Sequence, residues 1–106
     1  MSKYLLEVNY TIEGVKGVAA KGGTARKAAA QAAAKSLGGK VDVFYFAFGG
    51  TDVVMIADMP DNEAAAALAL GITGGGGATV RTVVLLTCQE IDAAVKKKVQ
   101  YTPPGG

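Results

Sequence analysis

The chain has 106 residues, a net charge of +2, and apolar side chains at 50% of its positions. That length suits one domain with a modest core. It has no histidine and a single cysteine, Cys88, which excludes an internal disulfide, an all-cysteine metal site, histidine-ligated metals and any Ser-His or Cys-His nucleophile pair. No cofactor is expected.

The first predicted element is a strand over Lys3–Thr11. Tyr4, Leu6, Val8 and Tyr10 share one face, and Leu5, Glu7, Asn9 and Thr11 the other. Glu13 to Val18 reads as a turn or short helical piece, broken at Gly22-Gly23. Thr24 is the expected N-cap of a helix over Ala25–Leu37, stopped by Gly38-Gly39. That helix is mostly alanine, so it forms readily and lies close to a sheet while adding little buried area.

Lys40–Phe48 and Thr51–Asp58 read as two strands of an antiparallel hairpin turning at Gly49-Gly50. From Val41 to Asp58 both runs are apolar on both faces, which calls for cover on both sides. Asp61 is an N-cap candidate for a second alanine-rich helix ending near Leu70, with Glu63 in its first turn. Four glycines, Gly74–Gly77, precede a strand over Ala78–Thr87. A phosphate-cradling loop leads into a helix and carries a lysine; this one leads into a strand and has none, so a flexible loop is the reading. A short helix over Gln89–Val99 follows, and the tail Tyr101–Gly106 is extended by its paired prolines.

The order is β-α-β-β-α-β plus a C-terminal helix. This predicts an α+β fold of the ferredoxin-like arrangement, an antiparallel sheet with two helices on one face. Residues 1–100 form the domain and 101–106 a Pro/Gly tail. The uncovered face would carry Phe or Val side chains. A bare apolar patch of that size calls for self-association, as a homodimer or higher homo-oligomer, sheet face to sheet face. The tail is expected either to pack over a neighbouring subunit or to be disordered beyond Pro104.

Glu7, Asn9 and Arg81 are the candidates for a cleft on the open face, since first and last strands are neighbours in this order. A structural Glu7–Arg81 pair is the simpler reading; a site for a small polar ligand is the sharper one. Asp52 is expected to bond local backbone amides at the turn. Tyr45, among Phe44, Phe46 and Phe48, is expected in core or interface packing, with an aromatic-lined pocket as the alternative. Cys88 lacks adjacent cations in the sequence and reads as an inert, packed thiol. Lys96-Lys97-Lys98, with no interleaved aromatic residue, reads as a solvated helical turn, so no nucleic-acid partner is expected. No membrane span or secretory signal is predicted, and the expected location is cytoplasmic.

The segments KYLLEVNYTIEGVKGV, LGGKVDVFYFAFGGTDVVMIADMPDNEAAAALAL and VRTVVLLTCQEIDAAVKKKVQYTPPGG resemble the GYD domain family over nearly the whole chain. The family's Gly-x-Tyr-Asp signature falls on Gly49, Gly50, Thr51 and Asp52, with Thr51 in place of the tyrosine. The resemblance implies a ferredoxin-like fold of the dimeric α/β-barrel type and an oligomer. It implies no activity. Two functions are therefore expected in order: a non-enzymatic small-molecule-binding or interaction module, and, as alternative, a cofactor-independent monooxygenase- or isomerase-like enzyme with Glu7 as acid/base, Asn9 and Arg81 orienting substrate, and phenylalanines as dry walls.

Overall fold

The computed structural model describes residues 1–106. Its elements are β1 (Ser2–Tyr10), α1 (Ile12–Lys21), α2 (Gly23–Ser36), β2 (Lys40–Phe46), β3 (Val53–Met59), α3 (Asn62–Gly74), β4 (Ala78–Val84) and α4 (Cys88–Val95). The four strands form one open, fully antiparallel sheet in the order β2-β3-β1-β4. The fold is α+β, as expected, with four helices where the sequence reading gave three and a turn or short helical piece. No helix is long and apolar enough to cross a membrane.

The core lies on one face of the sheet. Tyr4, Leu6 and Val8 of β1 and Val53, Met55, Ala57 and Met59 of β3 alternate inward and are buried against Ala34 of α2 and Ala65 and Leu68 of α3. The alanines of α2 act as expected: Ala30, Ala33 and Ala34 bring the helix backbone close to the sheet. No buried side-chain polar atom is left without a partner. The Tyr4 hydroxyl, at the edge of this core, donates to Asn62 Oδ1 at 2.6 Å.

Several boundaries differ from the sequence reading. The piece after β1 is a ten-residue helix, α1, capped by Thr11, whose Oγ1 accepts from Gly14 N at 3.2 Å. Thr11 thus leaves the strand. Its hydroxyl also donates to Gly76 O and its amide to Gly77 O, which ties the glycine loop to the start of α1. Gly22, with φ of 83°, separates α1 from α2, so Gly22 and not Thr24 is the cap of α2. Gly23 lies so close to the Phe46 ring that a Cβ there would stand 2.7 Å from it.

In β2 the register shifts between Val41 and Val43. The bulge at Asp42 changes which residues share a face. Val41, Phe44 and Phe46 turn to the helix side, where Phe44 and Phe46 meet edge to face at 5.5 Å. The phenylalanines therefore do not line the open face. That face carries Leu5, Val43, Val54, Ile56 and Val83, with Tyr45 at one edge.

From Leu86 to Gly106 every residue is exposed. Cys88, expected in packing, stands exposed as the first residue of α4. Helix α4 is nevertheless well formed at its start. Thr87 Oγ1 accepts from Glu90 N, and Glu90 Oε1 accepts from Thr87 N, a complete capping box.

Candidate functional site: the polar end of the open sheet face

Register places Tyr45, Val54, Glu7 and Arg81 in one row across all four strands of the open face. Glu7 and Arg81 are direct cross-strand partners, and Arg81 Nη2 donates to Glu7 Oε1 at 2.6 Å. The expected Glu7–Arg81 pair thus forms. The Glu7 side chain is 24% exposed and that of Arg81 79%. The Glu7 carboxylate raises the guanidinium's affinity for its proton, first by the hydrogen bond and then by charge. One bond to Glu7 leaves most of the five guanidinium donors facing water.

Beside this pair lies a hollow of 450 Å³, lined by Glu7, Asn9, Gly50, Thr51, Thr79, Val80 and Arg81. It is more polar than expected, with Val80 its one apolar residue. Asn9 Nδ2 donates to Gly50 O at 2.8 Å, so its amide oxygen stays free to accept. Gly50, Thr51, Thr79 and Val80 line the hollow without having been among the candidates, and Thr79 is the one that a strand count could have found. Its signal was available, because it stands two positions before Arg81 on the same face of β4.

The five candidates do not all converge. Glu7, Asn9 and Arg81 meet at the hollow. Tyr45 lies in the same row but two strands from Glu7, at the β2 edge, and is 70% exposed. Asp52 points elsewhere. Its Oδ2 accepts from Tyr10 N at 2.8 Å, and its own amide donates to Val8 O at 2.9 Å. Asp52 was expected to hold local turn amides; it instead fastens the β2–β3 loop to the end of β1. The Gly49–Asp52 signature thus shapes one wall of the hollow through Gly50 and Thr51 and anchors it through Asp52.

The other end of the open face is also ionic. Lys3 Nζ contacts Asp42 Oδ2 at 2.6 Å and Asp58 Oδ2 at 3.4 Å. The hydrogen bond from Lys3 holds the Asp42 carboxyl below its ordinary range, and Asp42 raises Lys3 in return. Between the two ionic ends runs the apolar row Val43, Ile56, Leu5 and Val83, in register across the sheet. On the helix side, a larger hollow of 630 Å³ lies among α1, α2 and the end of α3, with Lys21 and Arg26 at its wall. No three His, Cys, Asp or Glu side chains are grouped to hold a metal ion.

No curated protein and no solved structure matches the chain significantly. The GYD domain does match, over residues 4–95, from Tyr4 in β1 to Val95 at the end of α4. On that coverage, with the Gly49–Asp52 turn closing the hollow, the chain belongs to the GYD domain family.

Proposed function

We propose that the chain is a homo-oligomeric module that binds a small polar molecule in the hollow beside Glu7 and Arg81. The alternation of strands and helices, with β1 central and β4 beside it, supports a ferredoxin-like reading of the fold and assembly through the open face in the manner of dimeric α/β barrels. The observation that carries the binding reading is Arg81. A guanidinium that is mostly exposed, held at one corner by Glu7, presents a planar fork of donors to a carboxylate or phosphate. Asn9 Oδ1 and the hydroxyls of Thr51 and Thr79 supply further hydrogen bonds at the same hollow. Because Glu7 already accepts from Arg81, it is better placed to orient that fork than to shuttle a proton.

The self-association reading rests on the apolar row Val43–Ile56–Leu5–Val83, which no element of the chain covers. Native mass spectrometry on protein purified gently from its own host tests both parts. The expected spectrum is a multimer with a reproducible added mass, and Arg81→Ala removes that mass while leaving the multimer. A multimer with no added mass in either protein defeats the binding reading. A bare monomer defeats the oligomeric one.

A further inference from the structure

The exposed area of the chain is 7270 Å². A folded monomer of this size exposes about 5,500 Å², so about 1,800 Å² stands in excess. The radius of gyration agrees: it is 16.8 Å, against about 13 Å for a compact domain of this length. The open face alone does not absorb that excess. Four strands paired over about seven residues span about 19 by 23 Å, or about 440 Å² in projection. Residues 86–106, every one of them exposed, add to that excess.

This arm is built to be ordered. Its helix has a full capping box, and Ile91 and Val95, one turn apart, form an apolar stripe that ends with the helix. The body offers a matching vacancy. A groove of 410 Å³ between α1 and the end of β2 is walled by Tyr10, Val15, Val18, Phe46 and Phe48, and Phe48 is wholly exposed.

We propose that the arm of each copy crosses to a second copy of this chain and seats the Ile91–Val95 stripe of α4 in that copy's Phe46–Phe48 groove. This rests on the self-association proposed above and adds an exchanged arm to it. A second copy is the fitting occupant because the same chain carries both the unpartnered stripe and the unpartnered groove. A twofold pair satisfies both at once. Excess area of about 1,800 Å² per chain also lies in the range of obligate homodimers, which bury more than about 2,000 Å² in total. The mode is a helix laid in an apolar groove.

The test uses the full chain with Ile91→Asp and Val95→Asp together, beside Val83→Glu on the open face. Sedimentation equilibrium reads the dissociation constant of each. Both arm residues are exposed within their own chain, so the body folds unchanged. The expected result is a weakening of about a hundredfold or more for the arm variant, the effect of removing two buried apolar anchors. A second readout mixes two chains that both carry Cys88→Ser, one with Val95→Cys and one with Phe48→Cys; a disulfide should form between them. Undiminished association of the arm variant, with dissociation of Val83→Glu, overturns the arm and leaves open-face assembly standing. Weakened association without the Val95–Phe48 cross-link overturns the groove as the seat. Rapid amide exchange throughout residues 88–99 of the assembled wild type overturns the proposal, since the arm is then free for a different protein. A monomeric wild type overturns both readings.

Discussion

The two faces of the sheet are made by the same strands and are held by different physics. On the helix side, β1 and β3 bury every second residue, and Leu6 is 1% exposed. One residue along, on the open side, Leu5 is only half-buried and its neighbours are charged at both ends of the strand. The covered face holds the fold together through area removed from water. The open face keeps its apolar row short and flanks it with the ion pairs Lys3–Asp42–Asp58 and Glu7–Arg81. Burial against the helices and exposure on the open face thus alternate between adjacent residues of one strand.

The widest test of that division compares Leu6→Ala with Leu5→Ala. Leu6→Ala opens a cavity in the core and should cost about 3 kcal/mol. Leu5→Ala removes a partly buried side chain and should cost about 1 kcal/mol in the monomer, while weakening association. Urea midpoints and sedimentation on both variants check this. Equal losses of stability would show that the open face is as much a part of the core as the covered one.

A smaller effect sharpens the account of the core's edge. The Tyr4 hydroxyl is sequestered with the core, whereas its acceptor Asn62 is exposed. Tyr4→Phe frees an oxygen that water can reach and should cost about 0.5–1 kcal/mol. Asn62→Ala leaves the hydroxyl without its partner where water enters poorly, and should cost about 1–2 kcal/mol. Urea unfolding of the two variants gives the order; a larger loss for Tyr4→Phe would mean that water reaches the hydroxyl freely.

Much of this was legible in the residues. The alternation Tyr4, Leu6, Val8 identifies the buried face of β1, the alanine run identifies α2, and Asp61 identifies the start of α3, where its Oδ1 accepts from Ala64 N at 2.8 Å. The Glu7–Arg81 pair followed from counting by two along strands taken as neighbours. Three features were hidden for physical reasons. Helix α1 contains Gly14 and Gly17, which lower its local propensity, and it is held by Thr11 bonding to a loop 65 residues away. The bulge at Asp42 reverses the facing of Phe44 and Phe46, and nothing in a run of apolar residues reports a one-residue slip. Asp52 looks like a local turn residue, and only the fold brings Tyr10 N to it.

The subtlest prediction concerns the ionic end of the open face, where Lys3 bridges Asp42 and Asp58. Asp42 is held below the ordinary carboxylate range, chiefly by its hydrogen bond from Lys3. A depressed carboxyl contributes stability above its unfolded value, about pH 3.9, and loses it as pH falls through the lower folded value. Lys3 is raised, chiefly by Asp42. It contributes below the ordinary lysine value of about 10.4 and loses that contribution as pH rises through the higher folded one. Asp42→Asn should therefore flatten both the acid limb below about pH 4 and the alkaline limb above about pH 10.4. Its effect near neutrality should be small, because both groups are solvated. Urea midpoints measured across those two windows, for wild type and Asp42→Asn, decide it. High salt should shrink the difference between the proteins, since an exposed pair is screened. If the two proteins keep identical slopes on both limbs, the ions at this end contribute no net stability and serve only to keep the strand edge from pairing in the wrong register.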